Sequence, residues 1–334
     1  MTKQTKRRTM KDVALAANVS EMTVSRALRG KGIVSEETRD HVLRVVDQLG
    51  YVQNHLAGSL ATSRSNQVAV IIPSLINNVF PEVLAGITEE LEKAGYNAVI
   101  GISEYSLEKE ESLILSMISW RPAGLIVTNL VHSERSRNIL ANASVPVVEM
   151  MDISDEPIDI CVGLDHREVG ICLIDHLLAK GYRRFGYLGW SSNDFAASKR
   201  FVAIRNRLAE LGHGIVAPDV FDRPPDMLMG KEALRGLLNQ APDVEAVIFS
   251  NDTAACGGII HCLENGIDMP DQLALAGFSG LQSGQIMPRQ LTTVLTKRYE
   301  IGRLSARSVI NSLVGQTVRQ VVDLGFELVE GETA

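Results

Sequence analysis

The stretch Met10-Lys-Asp-Val-Ala-Leu-Ala-Ala-Asn-Val-Ser-Glu-Met-Thr-Val-Ser-Arg-Ala-Leu28 decides how the chain is read. Thr9 and Asp12 stand three residues apart, the spacing at which two side chains bond each other's backbone N–H at a helix start. Val13, Leu15, Ala16, Ala17 and Val19 supply a short apolar face that ends at the Asn18 turn. Ser20 then caps a second short helix over 21–28, with Val24, Ala27 and Leu28 inward and Glu21, Met22, Ser25, Arg26 and Arg29 outward. Two short helices, small Ala16 and Ala17 at their crossing, and a hydroxylated, basic second helix form a helix-turn-helix pattern. Working outward, Gly30-Lys-Gly32 breaks the chain and Ser35 caps a third helix. In it Val42, Val45, Val46 and Leu49 recur at helical spacing before Gly50 stops it. On spacing alone a generic three-helix bundle remains an alternative to a DNA-binding head.

Composition narrows the choice for the rest of the 334 residues, of which 45% are hydrophobic and 22% charged. The longest apolar run, around Val68 to Ile72, is far shorter than the roughly 20 residues that span a bilayer, so no membrane partner is expected. Residues 1–9 are basic and hydroxylated with no apolar segment behind them, which argues against a secretory signal and for the cytoplasm. Cys161, Cys172, Cys256 and Cys262 lack C-x-x-C spacing and read as reduced core thiols, with no metal site and no cofactor expected. The net charge of −7 hides an asymmetry: up to Asn66 there are 11 Lys/Arg against 6 Asp/Glu, and beyond it 22 against 34. A small basic head attracts phosphates at short range while an acidic body keeps the chain soluble.

From Gln67 onward strands and helices alternate. Strands are expected at 68–72, 96–100, 124–128, 145–149, 185–188, 246–249 and 273–276, and helices at 83–94, 107–120, 169–180, 201–211 and 253–265. Such alternation predicts parallel sheets with crossover helices in two α/β lobes, and a ligand site beyond the carboxyl ends of the strands.

The head, with Val34-Ser-Glu-Glu-Thr-Arg39 and Leu49-Gly-Tyr51, closely resembles that of the LacI family of bacterial repressors. The body resembles it through Ile72-Pro-Ser-Leu-Ile-Asn-Asn-Val-Phe80, Gly163-Leu-Asp165, Gly181-Tyr-Arg-Arg-Phe-Gly-Tyr-Leu-Gly189, Asn251-Asp252, Gly277-Phe278 and Leu291-Thr-Thr-Val294. Short strings such as Val148-Glu-Met-Met-Asp152 and Gly277-Phe-Ser-Gly280 are most similar to the gluconate-operon repressors. The resemblance implies an α/β chain in three parts: a helix-turn-helix head over 1–53, a hinge helix and linker over 54–66, and an effector-binding and dimerisation domain over 67–334. That last part would look like a periplasmic sugar-binding protein, with one lobe at about 67–162 plus 293–325 and the other at about 163–292 plus 326–334.

Site residues follow from the same resemblance. Glu21, Met22 and Arg26 match base-reading positions, while Thr9, Ser20, Thr23 and Ser25 would position the head on phosphates. Asn54, Ala57, Ser59 and Leu60 belong to the hinge, where Leu60 matches a leucine that wedges between base pairs in the minor groove. Gln53 departs from the family's usual proline. For the effector, Ser74 and Asn77 offer hydroxyl and amide groups and Phe80 an apolar face. Arg200 occupies the ligand-clamping arginine position and suits a carboxylate. Asp252 and Glu149 are candidate acceptors, and Ser279 stands where many members carry aspartate, which would ease an acidic ligand.

No Gly-rich nucleotide loop, nucleophile elbow or H-E-x-x-H appears, and the seven histidines, His166 among them, read as solvated or core, so an enzyme is not expected. The implied function is a repressor of sugar-acid utilisation genes that binds a palindromic operator as a homodimer and is released by gluconate or a related acid. A family member sensing a neutral sugar or a nucleoside or purine is the alternative. A transport receptor would lack the helical head.

Overall fold

The computed structural model describes residues 8–29, 34–51, 65–190, 194–221 and 226–334, and the chain divides into two compact units, Met1–Ser65 and Asn66–Ala334.

In the first unit, α1 (Met10–Ala16), α2 (Glu21–Arg29) and α3 (Glu36–Leu49) begin and end where local chemistry dictates. Asp12 N–H donates to Thr9 Oγ1 at 3.3 Å while Thr9 N–H donates back to Asp12 Oδ2 at 2.8 Å. The same three-residue reach recurs from Thr23 N–H to Ser20 Oγ and from Thr38 N–H to Ser35 Oγ. Gly50, at φ +58°, closes α3 in the left-handed region that favours glycine. Val13, Ala14, Ala17, Val24, Ala27, Val42, Val45 and Tyr51 form the core. Leu15 corrects the sequence reading: it is 72% exposed, Ala16 is exposed as well, and Ala14 is buried instead. A seven-residue helix presents one narrow face to its neighbours, and Val13, Ala14 and Ala17 fill it. The Gly30–Gly32 break lies outside the described residues.

In the second unit, β1 (Gln67–Ile72), α4 (Val79–Lys93), β2 (Asn97–Ile102), α5 (Leu107–Ser119), β3 (Gly124–Thr128), α6 (Glu134–Ala141), β4 (Val147–Met150) and β5 (Ile160–Gly163) come first. Next come α7 (His166–Ala179), β6 (Phe185–Trp190), α8 (Phe195–Glu210), β7 (Ile215–Phe221), α9 (Met227–Gln240), β8 (Ala246–Phe249), α10 (Asp252–Asn265) and β9 (Ala274–Ala276). The chain closes with α11 (Gln282–Gln285), β10 (Thr293–Thr296), α12 (Arg298–Leu313), β11 (Val321–Asp323) and β12 (Phe326–Val329). A six-stranded parallel sheet has the order β11-β5-β4-β3-β1-β2, a four-stranded parallel sheet the order β7-β6-β8-β9, and β10 pairs antiparallel with β12.

Both faces of the larger sheet are covered, which is why β1 is apolar along its length and does not alternate. Its period of two survives in the packing. Val68, Val70 and Ile72 join the core with α4 and α12, whereas Ala69 and Ile71 join the one with α5 and α6. Gly86 and Gly302 let α4 and α12 touch along their backbones, since a Cβ on Gly86 would sit 2.2 Å from the Tyr299 carbonyl. Three helices, α4, α7 and α8, start earlier than their apolar periodicity indicates. Pro81 lies in the first turn of α4, where its missing N–H costs nothing, and Asp194 caps α8 by accepting from Ala197 N–H. The helices α6, α9, α11 and α12 and the strands β5, β7, β10, β11 and β12 were not anticipated by the alternation. The four cysteines are free, and no described helix is long and apolar enough to cross a membrane.

Candidate functional site

Two surfaces carry the sequence-derived residues. On α2, Glu21, Met22 and Arg26 are exposed, Met22 to 62%, and positions 22 and 26 stand one turn apart on one face. Thr23 and Ser25 are half-buried beside them, and exposed Ser20 and Thr9 serve as caps. A guanidinium presented in this way can grip a guanine edge or a phosphate. Asn54, Ala57, Ser59 and Leu60 lie outside the described residues.

The second surface is a cleft of about 380 Å³ in the Asn66–Ala334 unit. Every parallel strand except the short edge strand β11 delivers a lining residue just past its carboxyl end. From the larger sheet these are Ser74 and Asn77 after β1, Tyr105 after β2, Asn129 after β3, Met151 after β4 and His166 after β5. From the smaller sheet they are Asp194 after β6, Asp226 after β7, Asn251 after β8 and Phe278 with Ser279 after β9. Phe80 and Arg200 add side chains from α4 and α8.

The polar groups of the first wall are held in place. Ser74 Oγ accepts from Ile76 N–H and Asn77 N–H at 3.1 and 3.2 Å. Asn77 Oδ1 accepts from Val79 N–H, and its Nδ2 donates to the Tyr105 hydroxyl at 3.0 Å. Glu104 and Tyr105 are successive non-glycine residues at positive φ, 51° and 58°, so the loop that delivers Tyr105 carries backbone strain. Burial pushes the Tyr105 phenol pKa up, keeping it a neutral hydroxyl.

Arg200 dominates the opposite wall. It is 6% exposed, and its Nη1 donates to His166 Nδ1 at 3.0 Å while Nη2 donates to the Ser250 carbonyl at 3.2 Å. Its guanidinium carbon lies 3.5 Å from the centroid of the Phe278 ring. Among the described residues no carboxylate stands within ion-pair distance of it, although Asp194 and Asp152 support its charge from farther off. Burial lowers the Arg200 pKa from a value so high that the group stays protonated. His166 Nε2 lies 2.9 Å from the Met151 carbonyl, which only accepts, so that nitrogen carries the proton and Nδ1 presents its lone pair to Arg200. Burial, and then the Arg200 charge, hold the His166 pKa well below its usual value.

Ser279 lines the cleft at φ 123°, a region that L residues rarely adopt. Its N–H donates to Val294 O and its carbonyl accepts from Arg298, whose Nε in turn pairs with Glu82 at 2.7 Å.

Two expected ligand contacts are corrected. Asp252 is fully buried behind the cleft, where its carboxylate accepts from Leu281 N–H and Thr293 Oγ1, each at 2.6 Å. Gly277 leaves the room for it, since a Cβ there would meet Asp252 Oδ1 at 2.3 Å. Burial raises the Asp252 pKa to about 6. Glu149 is also fully buried away from the lining, accepting from Ile158 N–H at 2.6 Å and facing His132 Nε2 at 3.4 Å. His132 bonds Glu110 through Nδ1 at 2.7 Å. Burial alone would lower its pKa, but the hydrogen bonds and charges of Glu110 and Glu149 reverse this and raise it to about 9. In exchange the cleft gains Tyr105, Asn129, His166, Asp194, Asp226, Asn251 and Phe278, whose shared sequence signal is a position just after a strand.

Both parts of the chain match family models. Residues 65–324 match the family model described as periplasmic binding proteins and sugar binding domain of LacI family, and residues 9–54 the one described as bacterial regulatory proteins, lacI family. The HTH-type transcriptional regulator GntR of Pseudomonas aeruginosa is 35% identical over 99% of this chain and 97% of its own. A LacI-family transcriptional regulator from Silicibacter pomeroyi superimposes with a TM-score of 0.94 at 42% identity, covering 98% of this chain and 99% of that one. The lac repressor dimer bound to operator shares the fold, with a TM-score of 0.84 at 23% identity over 98% and 99% of the two chains.

Proposed function

The chain belongs to the LacI family of bacterial regulatory proteins and is a DNA-binding transcriptional repressor, and on that premise we propose that its effector is a sugar acid of the gluconate or ketogluconate type. Arg200 carries the reading. A buried guanidinium that, among the described residues, bonds only a neutral ring nitrogen and a carbonyl and stacks on an aromatic face has charge to share, and a bidentate carboxylate answers it. Asn77, Tyr105 and Asn129 then suit the hydroxyls of a short polyol chain, and Phe80 its carbon face. Such a ligand bonds both walls at once, so it favours the arrangement in which the walls are close. Only this difference in affinity can shift the population that binds DNA, and its direction, release from the operator, is carried over from the family resemblance.

On the DNA side, α2 enters the major groove with Arg26, Glu21 and Met22 toward the bases, and the caps Thr9 and Ser20 sit near phosphates. Two copies related by a two-fold axis read a palindromic operator. Calorimetric titration of the full chain with gluconate, ketogluconates, neutral hexoses and purines tests the effector. Binding of a sugar acid in preference to the neutral compounds is the expected result, and binding of a hexose or purine with no response to any sugar acid would sink the reading.

A further inference from the structure

We infer that His166 sets the charge preference of the cleft: its imidazole gives Arg200 a neutral acceptor where a carboxylate would neutralise it, and so reserves the guanidinium for an anionic ligand. The inference rests on the sugar-acid reading and names the residue that makes it selective.

The ring is fixed from several sides. Met151 O receives the Nε2 proton at 2.9 Å, which leaves Nδ1 no role except to accept from Arg200 Nη1 at 3.0 Å. Phe278 packs edge-on against the ring at 5.8 Å between centroids and also lies under the guanidinium, so one aromatic residue braces both partners. His166 is the first residue of α7, behind the cap Asp165, where the positive end of the helix disfavours a second ring proton. The nearby Lys199 is paired to Asp152, which spends that carboxylate away from Arg200. Asp194 caps α8 and acts on Arg200 only from beyond ion-pair distance.

The geometry supplies a matched pair of substitutions. In asparagine and aspartate a δ oxygen occupies nearly the place of the histidine Nδ1, and both lose the bond to Met151 O. His166→Asn keeps a neutral acceptor for Arg200, whereas His166→Asp puts a carboxylate against it; the difference between them isolates charge.

The experiment is calorimetry of the wild-type chain, H166N and H166D with gluconate and with glucitol, its uncharged open-chain counterpart. H166N should keep the preference for gluconate, and H166D should bind gluconate on the order of 10- to 100-fold more weakly than H166N with no matching loss for glucitol. Equal gluconate affinities in the two variants would remove His166 from the account and leave the sugar-acid reading standing. A wild-type chain that binds no sugar acid overturns that reading and this inference with it. Should the variants fail to fold, the nitrogen NMR shifts of His166 in the wild type decide. An unprotonated Nδ1 at pH 6 supports the role, and a doubly protonated ring there overturns it.

Discussion

His132 and His166 are both buried, and only the first carries a charge. The His132 ring lies between the carboxylates of Glu110 and Glu149 and holds its second proton to about pH 9. His166 lies against Arg200 and refuses that proton. Around His132 the chain answers charge with charge, and the three groups form a closed structural cluster behind the larger sheet. Around Arg200 it answers charge with a lone pair, a carbonyl and a π face, with Asp194 and Asp152 farther off, and on the proposed function an anionic ligand completes the compensation. A buried charge compensated from within marks scaffold, and one solvated only by neutral dipoles marks a binding site.

The contrast can be broken at either histidine or its partners. His132→Gln leaves Glu110 and Glu149 buried without a cation between them, and full-chain denaturant unfolding should show a loss of about 3–5 kcal/mol. A loss under 1 kcal/mol would mean that the carboxylates have other support. Arg200→Gln removes the charge but keeps an amide donor for one of the two acceptors, so stability should fall by less than in H132Q while effector affinity falls at least about 100-fold, near 3 kcal/mol. Unchanged affinity would break the distinction between the two clusters.

A pH series sharpens the same contrast. His132 holds a proton more tightly folded than unfolded, so the stability it lends is complete below pH 6.5 and drains away as pH climbs through about 9, by roughly 3 kcal/mol in all. In H132Q this alkaline decline should flatten. His166 resists protonation when folded, so its cost appears as pH falls below 6.5, where the unfolded chain takes up the proton. Arg26→Ala gives the smallest expected effect, because an exposed side chain is already solvated. Operator affinity should fall by about 1–3 kcal/mol with relaxed sequence preference, and the unfolding midpoint should not move. An unaltered operator preference would remove Arg26 from the reading face.

The head was legible because its determinants are local. Thr9 with Asp12, Ser20 with Thr23 and Ser35 with Thr38 each act over three residues, and a strip of sequence displays them. Leu15 was misread because two turns of helix are too few for periodicity to separate inside from outside. In the body the strand-helix alternation and the cleft's place at the strand ends were readable, but the direction of a side chain at a strand end was not. Asn251 lines the cleft while its neighbour Asp252 turns into the core, at the point where the extended cap residue gives way to the first turn of α10. Glu149 was a reasonable acceptor until His132 and Glu110, from other segments, claimed it. Arg200 was reached through family resemblance. Its partner His166, 34 residues away, has no local signature, since nothing near it in the chain indicates that an arginine will need a neutral neighbour.

The cleft's construction from the ends of nine strands also limits how its specificity can change. Its lining runs from position 73 to position 281 in many separate short pieces, so no contiguous cassette holds the recognition of the ligand. Transplanting one loop from a relative would carry one wall's hydrogen bonds without the residues that hold them in place. New effector preferences should therefore arise by scattered point substitutions, whereas the proposed DNA-reading face, contiguous from Ser20 to Arg26, should be exchangeable as a block.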